Sequence, residues 1–94
     1  MDRSGPRLRA NRKHQRALLA LLRQIRTEAG LTQTGLAQAL RMPQSVVSKY
    51  ESGERRLDIL ELRQVCKAVG VSPADFVARL ETMLDSQKTT RSKL

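Results

Sequence analysis

Two short segments, LTQTGLAQAL at 31–40 and QSVVSKYESG at 44–53, are separated by only three residues, Arg41, Met42 and Pro43. In the first, Leu36, Ala37 and Leu40 recur at helical spacing, and Thr32 stands where an N-cap is needed. In the second, at about 100° per residue, Gln44, Ser45, Ser48 and Lys49 share one arc while Val47, Tyr50 and Glu51 share the opposite one. Pro43 cannot lie inside a helix but suits the first position of the next. Two helices joined by so tight a turn are held at a steep angle, with one exposed across the front of the other. An ordinary wet face carries Glu and Lys in i,i+4 pairs. This one is instead short and rich in side chains that both donate and accept hydrogen bonds.

The flanking segments supply the rest of a core. From Lys13 to Ala29, the residues Ala17, Leu18, Leu21, Leu22 and Ile25 form an amphipathic stripe, and Gly30 offers a left-handed stop with Leu31 folding back. Gly35 falls at N3 of the second helix, where a Glu would complete a capping box, and Gly53 ends the third. Asp58 and Glu61 have capping-box spacing and open a fourth helix, with Leu62, Val65, Cys66 and Val69 inward and Gly70 after it. Ser72, Pro73 and Asp75 open a fifth, which carries Phe76, Val77, Leu80 and Leu84. With 94 residues there is room for one core, and with Tyr50 and Phe76 the only aromatics it must be aliphatic. The expectation is an all-α fold of five helices: a flexible basic arm at 1–12, a domain at 13–84 and a disordered basic tail at 85–94.

The net charge of +9 sits mainly on the ends. Residues 1–16 carry +5, residues 85–94 carry +2, and the 68 residues between them only +2. Basic arms attract polyanions, most commonly nucleic acid, although such tails also serve solubility alone, and an anionic membrane surface is a weaker alternative. One cysteine, Cys66, allows no internal disulfide, and no Cys/His cluster has zinc spacing. His14 lies near the basic arm while Cys66 lies on an apolar stripe, so the two do not suit nucleophilic catalysis. Cys66 reads as a small core residue. The run ALLALL at 17–22 is interrupted by Arg23 and Arg26, too early for a signal core or a membrane span. A cytoplasmic, non-enzymatic protein with no cofactor or metal is expected.

From Arg26 to Pro73, the elements LTQxxLA, QSxVSxYExG and LxxVCxAVGV follow one another at a spacing that resembles the Cro/phage-repressor-like, or XRE-type, helix-turn-helix family. The resemblance implies a five-helix lambda-repressor-like domain whose third helix enters the major groove of double-stranded DNA. It places Gln44, Ser45, Ser48 and Lys49 at base edges. Val46 is placed there too, to meet a thymine methyl, with partial burial in the core an equal alternative. It assigns phosphate contacts to Gln33, which also braces Gln44, and to Arg41, Ser52, Arg55 and Arg56, the last two being otherwise a solvated charge pair. Arg12 and Lys13 join this group from the basic arm. Arg26 and Glu51 match a structural ion pair tying the first helix to the third, outside the reading set. Arg41 stands where the family often has Gly, Pro43 where it has Ser or Thr, Gly35 where an acidic residue is common, and Leu57 where it has Pro.

The function implied is a sequence-specific regulator, a repressor, acting as a homodimer on a two-fold-related operator. Helix five (74–84) is the expected dimer face through Phe76, Leu80, Met83 and Leu84, unless that face only covers the core of a monomer. The alternative is an antitoxin or adaptor of the same fold, gripping a partner such as a toxin. RNA or membrane-surface binding rests on charge alone and lacks aromatic stacking residues.

Overall fold

A computed structural model describes residues 12–92. Five helices make up the fold among them: α1 (Arg12–Glu28), α2 (Gln33–Leu40), α3 (Gln44–Ser52), α4 (Ile59–Val69) and α5 (Pro73–Ser92). The expected arm lies outside the described residues except for Arg12, which opens α1 one residue earlier than its periodicity indicates.

The caps behave as local chemistry dictates. Thr32 Oγ1 accepts from the Gly35 amide at 2.9 Å. Asp58 and Glu61 close a reciprocal box, with bonds of 2.8 and 2.9 Å. Ser72 Oγ accepts from the Asp75 amide at 3.0 Å. Pro43, expected at the first position of α3, instead sits one residue before it as the N-cap, in extended conformation at ψ 147°. Between α2 and α3 the chain turns through Arg41 in the left-handed region, at φ 57° and ψ 48°. Met42 N–H donates back to Ala37 C=O at 3.0 Å, so the turn a glycine would usually make is made by a residue with a Cβ.

α1 packs across α3 and α5, while α4 packs against α2 and α5. Their inward faces meet in one core of Leu21, Leu22, Ile25, Leu36, Ala37, Val47, Leu62, Val65, Cys66 and Phe76. Burial pushes the Cys66 thiol up, as suits a side chain used for packing. Arg79 Nη2 reaches both Glu28 oxygens, at 3.2 and 3.3 Å, and links α5 to α1.

Three expectations about the fifth helix change. Phe76 is fully buried and belongs to the core, so it is not part of an outward dimer face, and Leu80 and Met83 are partly spent on the same core. Val77, one residue off the inward phase, is 44% exposed. The helix also continues past Asp85 to Ser92, where a disordered tail was expected. No Gly or Pro interrupts 74–92, so each residue adds a backbone hydrogen bond once the packed half has nucleated the helix.

One buried ion pair ties α1 to α3. Arg26 Nε and Nη2 donate to Glu51 Oε2 and Oε1 at 2.6 and 3.0 Å, and Nη1 donates to Leu31 C=O at 2.8 Å. The Arg26 and Glu51 side chains are 10% and 4% exposed, so leaving either without the other costs about 3–5 kcal/mol. Burial alone would raise the Glu51 carboxyl. Hydrogen bonds from Arg26 and Gln33, with the charges of Arg26 and Arg23, outweigh it and hold the group below the usual carboxylate range.

Phe76→Ala is expected to cost about 3–5 kcal/mol in denaturant unfolding, independent of protein concentration, because the ring fills the core of one chain. Arg41→Gly is expected to stabilise the free protein by about 0.5–1 kcal/mol, a few degrees in melting temperature, by relieving the left-handed Cβ. A depressed folded pKa means that the Glu51 contribution is complete above the unfolded value, about 4.3, and is lost as pH falls through the folded one. Stability measured from pH 7 down to pH 3 is therefore expected to fall less steeply in Glu51→Gln, from a lower starting point. Parallel acid limbs would contradict this.

Candidate nucleic-acid interface

α3 has two chemically distinct flanks. Val47 and Tyr50 are 1% and 3% exposed and face the interior, whereas Gln44, Ser45 and Lys49 lie exposed on the outer side. Ser48 and Val46 are half-buried at the borders of that face. The helix begins abruptly. Pro43 has no N–H and makes no side-chain cap bond, so no side chain caps the opening amides of α3 at the exposed end that carries Gln44 and Ser45.

Gln33, at the start of α2, joins this face to the buried ion pair. Its Oε1 accepts from Gln44 Nε2 at 2.8 Å, and its Nε2 donates to Glu51 Oε1 at 3.1 Å. The Gln33–Gln44 contact is the bracing that the family resemblance implied. The Gln33–Glu51 contact is not visible in sequence, because 18 residues separate the partners and nothing periodic relates them. Arg23 Nε adds a longer contact to Glu51 Oε1 at 3.6 Å from a largely exposed side chain.

The loop after α3 is more ordered than a pair of solvated arginines. Ser52 Oγ donates to Lys49 C=O at 3.2 Å and accepts from the Glu54 amide at 3.3 Å. The Arg55 amide donates to Lys49 C=O at 3.1 Å, its guanidinium lies 5.4 Å from the Tyr50 ring centroid, and Nη2 meets Glu61 Oε2 at 3.1 Å. Glu61 thus serves the Asp58 cap with one oxygen and Arg55 with the other. The Asp58 backbone N–H, more than Arg55, holds its carboxyl below the ordinary value. The Tyr50 hydroxyl is buried near the Arg55 guanidinium, and burial pushes its pKa up. Arg56 is exposed, as is Arg41 at the α2–α3 turn. Arg12 and Lys13 are exposed at the start of α1, where Lys13 lines a groove with Arg16, Ala17, Ala20 and Met83. Gln33, Gln44 and Glu51 are thus drawn into one network, and Ser52 and Arg55 into the loop that follows α3, whereas Lys13 lies toward α5.

Among the described residues no His, Cys, Asp and Glu side chains group as a metal site, and no helix is long and apolar enough to cross a membrane. No curated protein matches the chain significantly. Several solved structures do resemble it. An XRE-family like protein from Pseudomonas syringae pv. tomato str. DC3000 is 43% identical over 79% of this chain and 90% of its own, with a TM-score of 0.73. Two structures of the clp gene regulator ClgR from Corynebacterium glutamicum are 30% and 33% identical, with TM-scores of 0.70 and 0.65. They cover 84% and 73% of this chain, and 84% and 88% of theirs. The helix-turn-helix family HTH_3 matches residues 22–76, a span that holds α2, α3, the ion pair and the loop arginines. The chain therefore belongs to the XRE-type helix-turn-helix family of DNA-binding regulators.

Proposed function

We propose that this protein is a sequence-specific transcriptional repressor, cytoplasmic, that lays α3 in the major groove of a two-fold-related operator as a homodimer. The observation that carries the reading is the division of α3. Gln44, Ser45 and Lys49 are open on one side while Val47 and Tyr50 clamp the other, so the outer face is presented on a rigid support. The chemistry suits base edges: Gln pairs bidentately with adenine, Lys favours the guanine acceptors, and Ser donates or accepts. Ser48 and Val46, at the borders, meet bases only where the groove wall closes over the helix.

Gln33, Arg41, Ser52, Arg55, Arg56, Arg12 and Lys13 are proposed as phosphate contacts, which fix register and orientation without reading sequence. Tyr50 and Glu61 support that role for Arg55, since they hold a side chain still 49% exposed in one place. Half-sites one helical turn, about 34 Å, apart fit a dimer of such modules. With Phe76 in the core, an α5 dimer face is reduced to the open parts of Leu80, Met83 and Leu84. That is little area beside the roughly 1,200 Å² of a stable interface, so dimer assembly is proposed to occur on DNA. Repression needs no more than occupancy of the operator. The clp gene regulator similar to this chain supports a regulatory role.

Gln44→Ala and Lys49→Ala are each expected to weaken binding to the best site by about 1–3 kcal/mol while leaving random duplex nearly unaffected. Arg12→Ala and Arg56→Ala are expected to weaken both alike and to lower the salt slope by about one each. Titrations against a selected operator and a random duplex at several salt concentrations measure both effects. If the two groups of variants behave alike, the division into reading and anchoring residues fails.

A further inference from the structure

The hydrogen bonds beneath α3 have a direction, and that direction ends at a base-reading side chain. An ionised carboxylate only accepts hydrogen bonds, whereas a glutamine amide donates from one end and accepts at the other. Glu51 is 4% exposed and both its oxygens are engaged by Arg26. Gln33 must therefore turn its Nε2 toward Glu51, which it does at 3.1 Å. Its oxygen then faces the opposite way, and Gln44 must present Nε2 to it, at 2.8 Å. Gln44 is left with its carbonyl oxygen and its second N–H for whatever lies outside.

Reversing either amide is penalised. A flipped Gln33 sets its oxygen against the Glu51 carboxylate and its NH2 against that of Gln44. A flipped Gln44 sets two carbonyl oxygens face to face. In water a glutamine amide has no such restriction, and its two orientations are nearly equivalent.

We propose that Glu51, buried under α3, is a positioning residue for specificity: through Gln33 it sets which way round the Gln44 amide meets a base. The proposal rests on Gln44 reading a base, as argued above, and adds what decides its preference. Adenine offers an N6 donor beside the N7 acceptor, which suits an amide of one orientation, whereas guanine offers two acceptors, N7 and O6. An amide fixed as acceptor and donor discriminates between these purines. One free to turn accommodates both. Arg26 enters by keeping the carboxylate charged and in place.

The test is selection of bound sequences from a random duplex pool, run in parallel on the unmodified protein and on Gln44→Ala, Gln33→Met and Glu51→Gln. The position read by Gln44 is the one whose preference Gln44→Ala abolishes, and there the unmodified protein is expected to favour adenine over guanine by about five- to 150-fold. Gln33→Met keeps the length of the side chain and leaves the Arg26–Glu51 pair intact, but cuts the relay. It is expected to bring that ratio to within about twofold while other positions keep their preferences. Glu51→Gln is able to donate toward Gln33 and is expected to abolish the adenine preference or tip it toward guanine. A merely structural or phosphate-binding role would lower affinity for every sequence equally and leave the ratio unchanged. If Gln44→Ala alters no position, base reading by Gln44 fails and the relay with it. If Gln44→Ala abolishes a preference that Gln33→Met retains, base reading stands and the relay is overturned. Should Glu51→Gln lose its helical signal, Gln33→Met decides alone.

Discussion

A carboxylate buried between α1 and α3 is the point from which the interface is organised. Glu51 belongs to α3, but it faces inward, where the two-pronged grip of Arg26 offsets the cost of burying its charge. Without that grip the rotation of α3 about its own axis would rest mainly on the packing of Val47 and Tyr50. With it, the helix is pinned in azimuth as well as in depth, and which residues face outward is settled. Arg26 also holds the Leu31 carbonyl in the segment between α1 and α2, so one guanidinium fixes that connection and orients α3.

The turn between α2 and α3 sets the angle at which this pinned helix emerges. It keeps the shape that glycine normally provides while carrying Arg41, whose Cβ is strained in the left-handed region. A charged side chain at that point stands on the solvent side, next to the start of α3. The strain and the proposed phosphate contact therefore reside in the same residue. The gain in stability from a glycine there would come with the loss of a cation beside the start of α3. The uncapped start of α3 shows a similar division, because a side chain that capped those amides would also occupy the space in front of them.

What the amino-acid order made legible was short in range. Thr32, the Asp58–Glu61 box and Ser72 act within three residues of themselves, and so they were readable from spacing alone. The outward arc of α3 was readable because helical periodicity and one tight turn leave little freedom. Phe76 and Val77 were harder, since neighbouring apolar residues share a pattern but only one can lie in phase with the core, and the packing of α5 on α1 and α4 decides which. The extension of α5 to Ser92 runs through polar residues with no apolar stripe, so periodicity carried no signal for it. The links from Gln33 to Glu51 and from Arg55 to Glu61 join residues brought together by the turn and the loop. Only the folded chain makes them neighbours.

If the outer flank of α3 meets DNA while its inner flank stays packed, an operator duplex perturbs one side of the helix and spares the other. Backbone and side-chain amide resonances followed during titration with an operator duplex test it most directly. Large shifts are expected at Gln44, Ser45 and Lys49, including the Gln44 side-chain amide, with Val47 and the α4 core residues little changed. Shifts concentrated on α5 with α3 unmoved would contradict it.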